Sequence, residues 1–147
     1  MPGRPRQLGK HRVLCDDSLV AENYTVLMDG AKADPLTTNG PYNVPIDGHA
    51  RGLGKVHRRE FAMASGEMSS GEFTEFLRKA MLLSREHSHP GSLAYYFMDF
   101  RHMKQILAAG TDVYGDLMNL CVWAKNNAGM GSFYRSTHEL IFLFKNG

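Results

Sequence analysis

The segment Asn39-Gly40-Pro41-Tyr42-Asn43 is where residue types and spacing offer chemistry most directly. A polar amide, a rigid turn and then an aromatic ring can grip a flat heterocycle. The Asn39 amide oxygen and a turn carbonyl would accept hydrogen bonds from an exocyclic amino group, while Tyr42 stacks on the ring. Enzymes that modify a base draw it out of the duplex and hold it by this pairing of edge contacts and stacking. The alternative is an ordinary Asn-Gly turn followed by a packed tyrosine, because Asn-Gly is among the commonest turn dipeptides.

Two loops carry the charge that a polyanion would need. Arg51, Lys55, Arg58 and Arg59 lie in one acid-free stretch spaced by small residues, which lets a backbone approach a phosphate. Lys125 and Arg135 lie in a second, with Ser132 and Ser136 as hydroxyl donors. Such contacts position a duplex without reading its sequence. The alternative is a pair of solvated surface loops. His87, His89 and His49 lack a third ligand at suitable spacing and read as surface residues, so no metal is expected. Trp123, inside an apolar strand, is expected in the core, and Glu139 is a candidate buried acid near the site.

Positioning these groups falls to alternating strands and helices. Residues 1–10 read as a basic, solvated lead-in. His11–Cys15 reads as a strand, stopped by the helix-capping residues Asp16-Asp17-Ser18. Val20, Tyr24, Leu27 and Met28 then recur at helical spacing up to Gly30. Ala33–Thr38 is a second strand candidate in which Pro35 is awkward, because a central strand cannot spare its N–H. Residues 43–66 read as a long loop. Ser69-Ser70-Gly71-Glu72 is a capping box for a helix reaching about Arg85. Ser92–Met98 is a continuous apolar run suited to a strand covered on both faces. Phe100, Met103, Ile106 and Leu107 mark a helix closed by Gly110. Asn119–Ala124 and His138–Phe144 follow as strands, separated by a Gly/Asn-rich loop. This alternation predicts an α/β domain with a parallel, doubly covered sheet. Ligands of such sheets sit beyond the carboxyl ends of the strands, here Asp16–Ser18, Asn39–Tyr42, Asp99–His102 and Lys125–Ser136.

Composition excludes several classes. The 147 residues are 43% hydrophobic and 22% charged, an ordinary globular balance rather than a disordered one. Seventeen Lys+Arg against fifteen Asp+Glu gives +2, too little to argue for a polyanion from net charge alone. Leu93–Met98 and Leu140–Phe144 fall far short of a membrane span. Met1–Lys10 lacks the apolar stretch of a signal peptide. Cys15 and Cys121, both in apolar runs, read as buried thiols of a cytoplasmic protein and not as a disulfide framework.

The order of short segments resembles a family, the DNA methyltransferases that modify adenine N6 or cytosine N4. Lys32-Ala33-Asp34, four further residues, and a tetrapeptide ending in Pro41-Tyr42, followed by Asn43-Val44-Pro45, carry the resemblance first. It continues through His11–Asp17, Ile46–Gly54, Arg59–Phe73, Met98–Met103, Leu120–Lys125 and Gly129–Glu139, in unbroken order from His11 to the last residue. It is closest to members whose catalytic motif precedes the cofactor motif. The resemblance implies a partial Rossmann-like methyltransferase fold with a mostly parallel sheet. It implies S-adenosylmethionine as methyl donor, double-stranded DNA as partner, and a cytoplasmic restriction-modification setting. Asn39, Gly40, Pro41 and Tyr42 would be its catalytic tetrapeptide, and Asp17 would lie near the cofactor. Arg51, Lys55, Arg58, Arg59, Lys125 and Arg135 would be its DNA contacts.

Two departures shape the expectation. The family tetrapeptide is Asp-Pro-Pro-Tyr, with Asn or Ser first in some branches, whereas this chain has Asn39-Gly40-Pro41-Tyr42. Asn39 still accepts a hydrogen bond from an amine but carries no charge, and Gly40 removes a ring that fixes the loop. No glycine-rich motif follows a strand and opens a helix: Gly52-Leu53-Gly54 follows no strand, and Gly129-Met130-Gly131-Ser132 opens no helix. Residues 11–147 are therefore expected to be an incomplete N-terminal portion of such an enzyme, with adenine ahead of cytosine as target. Such a portion would be inactive or nearly so alone, and partnered by a second copy or by the missing C-terminal portion. The rival expectation is a non-catalytic DNA-binding or dimerisation remnant.

Overall fold

Turns and caps written into the sequence delimit most of the elements. The computed structural model describes residues 3–45, 60–127 and 133–147. Its elements run β1 (Arg6–Leu8), β2 (His11–Val13), α1 (Ala21–Met28), β3 (Leu36–Thr38), α2 (Ser70–Glu86), β4 (Leu93–Met98), a 3-10 turn (Phe100–His102), α3 (Met103–Tyr114), β5 (Asn119–Ala124) and β6 (His138–Lys145). The capping box forms as its sequence dictates. Ser69 Oγ accepts the Glu72 N–H at 3.3 Å, and Glu72 Oε2 accepts the Ser69 N–H at 2.9 Å. The solvated lead-in holds a strand: β1 pairs antiparallel with β2 around Gly9, and both remain exposed. β3 begins only after Pro35, where the ladder no longer lacks an N–H.

The fold is mixed α/β, but its main sheet is not mostly parallel. The order is β3-β4-β6-β5, with β3 and β4 the parallel pair and β4–β6 and β6–β5 both antiparallel. Connections explain the difference. A parallel return needs a long crossover, as α2 provides between β3 and β4. Apolar runs alone do not encode strand direction.

One face of this sheet is covered. Phe73, Leu77 and Met81 of α2 and Ile106, Ala109 and Val113 of α3 pack with Ala94, Tyr96 and Met98 of β4 and Leu140, Phe142 and Phe144 of β6. The alternate residues of β4, Tyr95 and Phe97, are only half-buried, so this strand is not enclosed on both faces. Helix α3 does not stop at Gly110. It runs on to Tyr114, and the backbone turns at Gly115, where φ is +91°. Gly110 is buried in mid-helix, and a Cβ there would lie 2.1 Å from Phe144 Cζ. The glycine provides room for a ring.

β5 is an edge strand of this sheet, which changes the reading of three residues. Trp123 is 51% exposed and not in the core, and Val122 is 62% exposed. Cys121 is half-buried and Cys15 exposed, so neither thiol is enclosed. Hydrophobic type placed them inside, whereas an edge strand has too few neighbours to cover them. Among the described residues, no helix is long and apolar enough to cross a membrane.

Candidate functional site

Strand register gathers three of the four expected segments at one end of the main sheet. Thr38 lies opposite Tyr96, Met98 opposite Leu140, Trp123 opposite Glu139, and Ala124 opposite His138. The ends of β3, β4 and β5 therefore meet the start of β6. Asn39–Tyr42, Asp99–His102 and Lys125 leave the sheet at this end, where Glu139 stands as the second residue of β6. Asp16–Ser18 follows β2, which belongs to the separate hairpin. Asp17 there makes a local turn: its Oδ1 accepts the Leu19 N–H at 2.8 Å, and its carbonyl accepts from Asn23 Nδ2 at 2.8 Å. Those hydrogen bonds tie it to the start of α1.

Tyr42 is the centre of the cluster. Its hydroxyl lies 2.9 Å from Asn39 Oδ1 and 3.1 Å from Glu139 Oε2. The other Glu139 oxygen accepts from Lys125 Nζ. Lys125 Nζ lies 5.9 Å from the centre of the Trp123 ring, within reach of a cation–π contact. Asn43 secures the turn from behind. Its Oδ1 accepts the Gly66 and Met68 N–H groups at 3.0 and 3.2 Å, and its Nδ2 donates to the Met68 carbonyl at 2.8 Å. The turn is thus fixed to the segment that enters α2. At Gly40, a Cβ would meet nothing within 4 Å, so the missing pyrrolidine ring leaves open space.

Asp99 adds a second charged group. Its Oδ1 lies 2.9 Å from His102 Nδ1, and its Oδ2 accepts from Arg101 at 3.0 Å. Burial, then the charge of Glu139 and its hydrogen bond, then the charge of Asp99, push the Tyr42 hydroxyl well above the usual tyrosine range. Tyr42 therefore stays a protonated donor.

The same direction holds for Tyr24, Tyr96 and Tyr114, each raised first by burial. Above about pH 10 the unfolded chain ionises its tyrosines while the folded chain keeps these protons. The unfolded state then binds fewer protons, so stability falls as pH rises. The urea midpoint is expected to drop above about pH 10, and the drop to shrink in Tyr96→Phe. A midpoint that stays level through about pH 11 would contradict this burial.

Other expected site residues are placed differently. Arg51, Lys55, Arg58 and Arg59 lie outside the described residues, as does His49. Arg135 is exposed, whereas Lys125 is engaged with Glu139. Glu139, expected as a buried acid near the site, does reach it, its side chain 21% exposed. His89 is exposed, but His87 is half-buried, its ring 5.1 Å from that of Tyr24. The pairing of Lys125 with Glu139 was not anticipated. Its signal was the hairpin itself, which sets Trp123 opposite Glu139 and brings Lys125, two residues further on, to the same side of the strand.

Among the described residues, the turns after β3 and β4 do not show the glycine pattern expected of an S-adenosylmethionine site. β3 runs into Asn39–Pro45, and β4 into Asp99–His102, a strand-to-helix turn without glycine. A nucleotide-type cofactor needs glycines there for close backbone approach. No family model and no curated protein matches the chain, so the reading of this site rests on its own geometry.

Proposed function

We propose that this chain carries the base-holding part of a DNA methyltransferase directed at the exocyclic amine of adenine or cytosine. In this reading the four-stranded sheet is a portion of a Rossmann-like sheet, and the chain alone transfers no methyl group. The observation that carries the proposal is the supply of acceptors around one donor. Asn39 Oδ1 and Glu139 Oε2 both face the Tyr42 hydroxyl, which has a single proton to give. That leaves one acceptor for a ligand N–H, which an exocyclic amino group supplies. Arg135 and the stretch 51–59 are the cations this reading assigns to the phosphates. The chain's own residues would then bind and orient the base, while methyl transfer would depend on a donor site that the described residues do not form.

The exposed edge of β5 favours a second reading, a non-catalytic DNA-binding subunit that pairs with another chain through this strand. A titration of fluorescent duplex DNA with the purified chain, run beside transfer of labelled methyl from S-adenosylmethionine, tests the proposal. Salt-sensitive binding without transfer is expected. Absence of binding, or appreciable transfer, would count against it.

A further inference from the structure

Of the two acceptors facing Tyr42, only one is fixed in kind. An asparagine amide can turn to present oxygen or NH2, so Asn39 can meet an amino group or a keto oxygen alike. Glu139 has no such freedom: an ionised carboxylate accepts and never donates. Its orientation is also held, because Lys125 Nζ occupies Oε1 and leaves Oε2 toward Tyr42, at 3.1 Å. The side chain is 21% exposed, sheltered enough for its charge to matter and open enough to meet a ligand.

We infer that Glu139 is the specificity-determining residue of this site, admitting an amino-bearing base and rejecting a keto-bearing one, with Lys125 as the residue that positions it. When a ligand amine approaches, the Tyr42 proton satisfies one acceptor and a ligand N–H satisfies the other. A keto oxygen at the same place faces the carboxylate with no proton between them, a repulsive arrangement that excludes the wrong partner. Sites that pair a buried acceptor with a ligand donor discriminate strongly, because the wrong ligand leaves the acceptor unpaired. The inference takes its location from the base-holding reading but does not require duplex DNA.

The test uses free nucleosides and the full chain. Trp123 is the single tryptophan and lies opposite Glu139, so its fluorescence reports on the site. Adenosine and cytidine are titrated against inosine and uridine, with the wild-type chain and with Glu139→Gln. The amino nucleosides are expected to bind about tenfold more tightly than their keto counterparts, the worth of one charge-assisted hydrogen bond. Glu139→Gln, which keeps the shape but can donate, is expected to bring the ratio close to one. Lys125→Met should weaken the preference without reversing it. A ratio unchanged in Glu139→Gln, or no binding by any nucleoside, overturns the inference. DNA binding with an unchanged ratio would leave the base-holding reading standing and remove only the role of Glu139. Nucleoside discrimination without DNA binding would do the reverse.

Discussion

Gly110→Ala is expected to lower stability by about 2 kcal/mol, although alanine is the better helix former. Two effects oppose each other at this position. The exchange gains about 1 kcal/mol of helix propensity in mid-helix. Against it, the new Cβ would lie 2.1 Å from Phe144 Cζ and 2.6 Å from its two ε carbons. Phe144 is fully buried and stacked on Tyr114 at 5.6 Å, so the ring has nowhere to retreat. Overpacking of this severity costs about 3 kcal/mol, and the clash prevails. Urea unfolding reads the difference, and combining Gly110→Ala with Phe144→Leu should recover part of it. A net gain in stability would mean that α3 does not seat against β6 at this point.

Affinity for duplex DNA is expected to fall about 500-fold between roughly 50 and 200 mM salt. Each neutralised phosphate contributes about −0.9 to the slope of log affinity against log salt. Arg51, Lys55, Arg58, Arg59 and Arg135 provide five such cations in the proposed reading. Lys125 is excluded from the set because its ammonium is paired with Glu139. The slope should therefore lie near −4.5, and Lys125→Met should leave it where it is. Arg58→Ala should reduce its magnitude by about 1. A slope near zero would remove phosphate contact from the account, and a shift in Lys125→Met would return that lysine to the DNA face.

What the sequence disclosed depended on the range of the interaction. The capping box at Ser69 and Glu72 spans four residues and was legible outright, as were the strands Asn119–Ala124 and His138–Phe144. Strand direction was not, because Leu, Ile and Phe pack equally well in either sense; the antiparallel pairing of β6 with both neighbours follows from connections and docking. Gly110 shows the same limit. A glycine at the end of an apolar period reads as a stop, yet here it answers to Phe144, distant in sequence. Trp123 shows that hydrophobic type does not reveal which strand becomes an edge. At the site, Asn39 and Tyr42 were legible because they share one turn. Glu139 was legible as an acid near the site, but its bond to Tyr42 needed the fold.

The most direct measurement of the central claim needs no knowledge of a recognition sequence. A duplex with one unpaired adenine offers a base that is inexpensive to extrude. Its affinity for this chain is compared with that of the fully paired duplex and of the same bulge made abasic. If the carboxyl end of the sheet holds an extruded amino base, the bulged adenine binds about tenfold more tightly than both, and Tyr42→Ala abolishes the difference. Equal affinity for all three would contradict the account and leave a chain that only grips phosphates.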